Sequence, residues 1–318
     1  MPPDSRRPTL DPLTTGAVGL AVVAVSSSAP LIAYAAAPAL AIAFWRNVLA
    51  VAVLSPFSLA RRRAEFRALV GLAGRREGLF CVLSGVALAA HFAAWMPSVQ
   101  LTSVAAATAL VATQPVWQGL IARAQGRRLP PVVWVGIAVT VCGAVIATGA
   151  DVGISARAVV GDLLAVAGGM FAAIYTAFGE RARASISTTT YTTICYGICA
   201  LILLVICLLG GVRLTGFDGR TWLAILALVA GAQLLGHSMF NYVLHRIPAT
   251  TVSVLILLEV PGAALLAWVW LGQVPRAYAL LGMSLLLVGV AVVVLGGARA
   301  GRRATTTALP ADPAPLTD

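Results

Sequence analysis

A shift of 146 residues lays the second half of this sequence over the first. Gly85 then meets Gly231, His91 meets His237, Pro115 meets Pro261, Gly126 meets Gly272, Gly136 meets Gly282 and Gly143 meets Gly289, all at one offset without a gap. Two of the three histidines belong to this set. The repeated text is apolar: the chain is 60% hydrophobic and 10% charged, where a soluble domain carries about 25% charged residues. An apolar chain built of two tandem halves is the sequence mark of a transporter whose site lies between its repeats.

The apolar runs allow ten spans of roughly 20 residues. The first repeat, 14–150, places helices near 14–34, 38–60, 79–98, 102–123 and 131–150. The second, 159–297, places them near 159–180, 189–211, 221–244, 249–271 and 276–297. Outside them fall an N-terminal tail (1–13), an outer linker (151–158) and a polar C-terminal tail (298–318), expected to be disordered. The expectation is thus an all-α membrane protein with ten transmembrane helices. Arg6 and Arg7 before an apolar run ending near Ala33 mimic a signal peptide. Cleavage there would leave the first repeat one helix short, so the first span is read as retained.

The net charge is +11, carried by arginine without any lysine. With the N-terminus inside, 17 arginines fall on cytoplasmic segments and 4 on outer ones, with Arg46 inside a span. That asymmetry is the positive-inside bias and excludes a nucleic-acid reading of the charge. It puts both termini in the cytoplasm. Five helices per repeat is an odd number, so the second repeat inserts upside down relative to the first. Cys81, Cys142, Cys195, Cys199 and Cys207 lie in apolar runs without a CxxC pair and read as small apolar residues. No phosphate-binding GxxxxGK loop occurs, which argues against ATP use.

Three stretches carry a family resemblance: the twofold pattern, Ala43–Asn47 (AFWRN) in the second span, and Leu257–Gln273 (LLEVPGAALLAWVWLGQ) in the ninth. Over about residues 16–297 the chain resembles the EamA family of the drug/metabolite transporter superfamily. Gln273 stands where that family usually has a glutamate, and Gln125–Pro131 (QGRRLPP) lacks the acid at the matching place, so no role for it carries over. The resemblance implies a ten-helix exporter of amino acids or other small metabolites, and no particular substrate.

Polar groups at mid-membrane are the informative ones, because a charge at the bilayer centre costs about 2.5–3.5 kcal/mol on insertion scales. Glu259 lies about ten residues into the ninth span, roughly 15 Å deep, and is the only acid so placed. It is a candidate for substrate binding and proton coupling, or else a structural carboxylate bonded to a neighbouring helix. Arg46 could hold a substrate carboxylate, snorkel outward, or clamp Glu259. Gln233, His237 and Asn241 recur every four residues and so share a helix face, the most polar stripe in the membrane part. Their counterparts at the repeat offset are Ala87, His91 and Trp95. The histidines either line the path or bond helices together; two of them without nearby carboxylates make a poor metal site.

Gln114 and Tyr175 complete the candidate lining. Pro115 and Pro261 each free a carbonyl and permit a kink, as hinges or as ordinary helix shaping. Glu180 is expected to pair with Arg181 or Arg183, and Gly136, Gly143, Gly282 and Gly289 to allow close packing. The resulting expectation is an inner (plasma) membrane exporter, monomeric or homodimeric. Its partners are a small-molecule substrate, the lipid bilayer and protons as candidate coupling ions, with no metal, cofactor or nucleic acid. Its cavity lies among spans three, four, eight and nine. The rivals are an intramembrane enzyme using His91 and His237, and a non-transporting scaffold or sensor.

Overall fold

A computed structural model describes residues 12–71, 74–102, 104–148, 155–271, 274 and 277–307. Among these residues there is helix and no strand. The first repeat comprises α1 (Pro12–Ser26), α2 (Ser28–Tyr34), α3 (Ala39–Arg61), α4 (Arg63–Val70), α5 (Arg75–Leu101), α6 (Val104–Val111), α7 (Gln114–Ala124) and α8 (Pro131–Thr148). The second comprises α9 (Ala156–Arg183), α10 (Thr188–Leu209), α11 (Gly219–Leu228), a π-helical segment (Val229–His237), α12 (Ser238–Val243), α13 (Ala249–Ile256), α14 (Glu259–Leu271) and α15 (Ala277–Thr307).

Local chemistry sets these boundaries. Ser155, Ser187 and Asp218 cap α9, α10 and α11 by accepting from the backbone N–H of Ala158, Thr190 and Thr221. Pro38 and Pro248 immediately precede α3 and α13, and Pro131 opens α8, where the missing N–H is harmless. Gly126, at φ 79°, makes the left-handed turn after α7 that a side chain would strain. Helix α15 runs on to Thr307, past the boundary at residue 298 where the sequence reading began its tail; Ala and Arg favour helix there, and no proline intervenes before Pro310. Residues 1–11, 151–154 and 308–318 of the expected tails and linker, and Gly272 and Gln273, lie outside the described residues.

Among the described residues, seven helical segments are long and apolar enough to cross a membrane, and Pro131–Ile146 and Leu280–Gly296 are shorter apolar helices. Leucines and valines such as Leu209 and Leu163 face outward, which suits a lipid solvent. Four cysteines are buried, whereas Cys142 is exposed.

The packing maps onto itself when the repeats are exchanged. Helix α3 packs on its counterpart α10, and α8 on its counterpart α15. Helix α5 packs along α9, and their counterparts, α1 and the π-helical segment with α12, pack together in turn. Glycine makes the α8–α15 seam possible. A Cβ at Gly136 would stand 3.1 Å from the Gly289 carbonyl oxygen, one at Gly143 would stand 2.8 Å from that of Gly282, and one at Gly289 would collide with Thr140. In lipid, such close approach replaces the hydrophobic drive that water would supply.

Candidate functional site

Two spans are interrupted at matching places. Residues Ala112 and Thr113 separate α6 from α7, and Leu257 and Leu258 separate α13 from α14. Pro115 and Pro261 sit in the first turn of the second half-helix in each case, where their missing N–H leaves the carbonyls of Val111 and Leu257 without the usual helical donor. Short i→i−3 bonds carry the chain through both places, from Thr113 N to Leu110 O and from Leu258 N to Leu255 O, so each interruption is a kinked turn. At the repeat offset Thr113 corresponds to Glu259, so the acid stands at the start of α14.

A cavity of about 70 Å³ lies at these interruptions. Of the residues singled out in the sequence, His91, Trp95, Gln114, Tyr175, His237, Asn241 and Glu259 line it. Its wall is broader than spans three, four, eight and nine. Val25 and Ser28 from the first span, and Ala172 and Thr176 from the sixth, also line it, and Thr108 joins from the fourth. These hydroxyls carried little signal in the sequence, because a Ser or Thr in a helix can satisfy itself on its own backbone. Thr176 does so on Ala172 and Ala173, and also donates to Gln118 Oε1 at 2.9 Å.

Arg46 and Gln233 do not line the cavity. The Arg46 side chain is fully buried, with its guanidinium 4.4 Å from the centre of the Phe92 ring. Its Nε donates to Gln233 Oε1 at 2.8 Å, and Gln233 Nε2 donates to Asn47 Oδ1 at 3.1 Å. Arg46 thus neither snorkels nor forms an ion pair with Glu259. Gln233 leaves the expected stripe because Val229–His237 is wound as π-helix, where the turn is longer than four residues. Ser238 Oγ fills in by donating to Gln233 O, five residues back, at 3.2 Å.

The polar lining divides into groups tied to the scaffold and groups left open. His91 Nδ1 meets Gly168 O at 2.9 Å and the ring stacks on Trp95 at 5.8 Å. Tyr175 donates to Asn241 Oδ1 at 2.7 Å, and Asn241 Nδ2 reaches Tyr196 Oη at 3.5 Å. Tyr191 turns away from the cavity to Ser84, at 2.6 Å. His237 packs edge-on to Phe92 at 5.7 Å. The His237 ring and the Glu259 carboxyl make no hydrogen bond, and Glu259 makes no ion pair within 4 Å. Val111, Val252, Ile256 and Val260 add apolar surface to the wall. Such a site can hold a small molecule by a few polar groups over a hydrophobic body.

At one end of the bundle Arg127 makes a two-pronged ion pair with Glu180, at 2.9 and 2.8 Å. Glu180 Oε1 also accepts from the backbone N–H of Ala249, the first residue of α13, at 3.3 Å. Glu180 was expected to pair with Arg181 or Arg183. Arg127 wins because the turn after α7 returns it to α9, while Arg183 Nε donates instead to Asn241 O at 3.0 Å.

The comparisons agree with this architecture. A solved crystal structure is similar over 91% of this chain and 98% of its own, with a TM-score of 0.74 at 21% identity, a likeness that concerns the fold alone. No curated protein matches the sequence. The family model for EamA-like transporters matches residues 14–149 and 159–295, once per repeat. With its many apolar helices and both repeats matched, the chain is a multi-pass membrane protein and belongs to the EamA-like transporter family.

Proposed function

We propose that this protein is a secondary transporter of the inner (plasma) membrane that exports small metabolites, such as amino acids or related compounds, by alternating access. In this reading ten spans form two inverted five-helix repeats with both termini in the cytoplasm. The observation that carries it is a cavity walled by both repeats, at the level where α6/α7 and α13/α14 are interrupted. Broken helices at the repeat interface are how transporters place half-helix ends around a substrate while the surrounding bundle moves. Glu259 is the proton-coupling candidate, since it is an acid without a partner on that wall.

The test compares metabolites outside and inside cells overproducing the protein with those of cells lacking it. A compound enriched outside and depleted inside is the expected result. No difference across a broad panel, with the protein verified in the membrane, would refute export.

A further inference from the structure

Among the described residues, most unpartnered polar side-chain atoms in the buried interior are donors. Trp95 Nε1, Gln114 Nε2, Gln118 Nε2 and both Nη atoms of Arg46 are buried without a hydrogen-bond partner. The unpartnered acceptors, Glu77 Oε2 and Asp162 Oδ1, belong to the first two turns of α5 and α9 and not to the cavity wall. A buried donor left without an acceptor carries its full desolvation cost. Trp95 and Gln114 are each only 5% exposed, and both line the cavity.

The elements that carry these two donors pack against neighbouring glycines of α9: a Cβ at Gly168 would stand 2.9 Å from Trp95 Cβ, and one at Gly169 would stand 2.8 Å from Val111 O, where α6 ends. Gln114 is the first residue of the 11-residue helix α7, whose N-terminal end carries the positive pole of the helix dipole. Behind Phe92 the Arg46 guanidinium has no ion pair and adds positive potential to this part of the interior. Glu259, on the α14 part of the wall, would repel an anion placed beside it.

Resting on the transport reading, we propose that Trp95 Nε1 and the Gln114 side-chain amide, at the start of α7, form a subsite for a carboxylate of the transported molecule. The apolar wall from Val111, Val252 and Ile256 takes its body. The carboxylate accepts from the indole and amide N–H groups and satisfies donors that the protein leaves open.

The test is binding of isovalerate, isovaleramide and isoamylamine to the purified full-length protein in lipid nanodiscs, by calorimetry. Isovalerate is expected to bind at least tenfold tighter than isoamylamine, and Trp95→Phe, which keeps the ring but removes the donor, to weaken isovalerate about tenfold. Gln114→Leu gives an independent second variant should Trp95→Phe fold poorly. Absence of isovalerate binding, amine binding as tight as acid, amide binding as tight as acid, or unchanged isovalerate affinity in a folded variant would each overturn the carboxylate subsite. Carboxylate binding in a protein that exports nothing would uphold the subsite and remove the transport reading. Export without carboxylate preference would do the reverse.

Discussion

The Nε of Arg46 reaches across 187 residues of chain to Oε1 of Gln233 at 2.8 Å, joining α3 of the first repeat to the π-helical segment of the second. A hydrogen bond from a charged group contributes about 1.5–3 kcal/mol when buried. Gln233→Leu leaves the guanidinium with the Phe92 ring and no acceptor. We expect it to lower the melting temperature of the purified protein, and Gln233→Glu, which restores an acceptor, to recover most of the loss. Equal melting of Gln233→Leu and the native protein would show that the bond contributes nothing.

Glu259 and His237 line the cavity without side-chain hydrogen bonds to the protein, while the His237 ring also packs on Phe92 and Tyr175. Glu259→Gln is expected to leave membrane insertion and melting unchanged, and His237→Ala to leave insertion unchanged. Export should fall about tenfold in each, equivalent to about 1.4 kcal/mol on the rate-limiting barrier. Normal export in both variants would confine these residues to a passive role.

The Arg127–Glu180 pair is partly exposed, at 39% and 18%, so its own contribution to stability stays within about 1 kcal/mol. Its position matters more, because Glu180 also holds the first N–H of α13 and so links the turn after α7 to the opposite repeat. Glu180→Gln is predicted to change transport rate more than melting temperature. Rates equal to the native protein's in reconstituted vesicles would count against any closing role for this end.

Glu65, on α4 between two spans, accepts from Ser187 N at 2.8 Å, from Ser187 Oγ at 2.5 Å and from Thr190 Oγ1. Burial pushes its carboxyl up, but these hydrogen bonds outweigh it and hold the group below the ordinary glutamate range. A depressed acid contributes stability that is fully present above its unfolded value of about 4.3 and is lost as pH falls through the folded one. The detergent-solubilised protein is therefore expected to lose stability below about pH 4, and Glu65→Gln to flatten that part of the profile. An unchanged acid limb in the variant would assign the loss to other carboxyls.

Gly289→Val puts a branched side chain where even a Cβ meets Thr140 on α8. Overpacking of this kind costs about 1–3 kcal/mol. Reduced melting temperature is expected, and Thr140→Ala is not expected to restore it, because a Cβ at Gly289 also meets the Thr140 backbone. Wild-type melting would mean that α8 and α15 can stand further apart than the glycines allow.

The repeat offset made much of this arrangement legible, because glycine and proline act through the backbone and mean the same thing in both halves. Pro115 and Pro261 marked the two interruptions, and the four seam glycines marked the close packing. Seven candidates reached the cavity because polar groups at mid-membrane have few other places to go. The two that did not, Arg46 and Gln233, satisfy each other instead. A spacing of four residues puts side chains on one face only while the winding stays α-helical. Nothing in the residue types of Val229–His237 announces a wider turn, since the matching stretch of α5 winds as ordinary α-helix. The contributions of the first and sixth spans were hidden for a different reason: Ser28 and Thr176 are small hydroxyls among many in the chain.

Along most of the bundle a layer of interlocking side chains lies between neighbouring helices, and such a layer can slip or re-pack when spacing changes. At Gly136, Gly143, Gly282 and Gly289 that layer is missing, and main chain rests on main chain. The α8–α15 contact therefore behaves as a keel. It has no deformable padding, so a shape change is taken up more readily where continuity is already interrupted, as at Ala112–Thr113 and Leu257–Leu258.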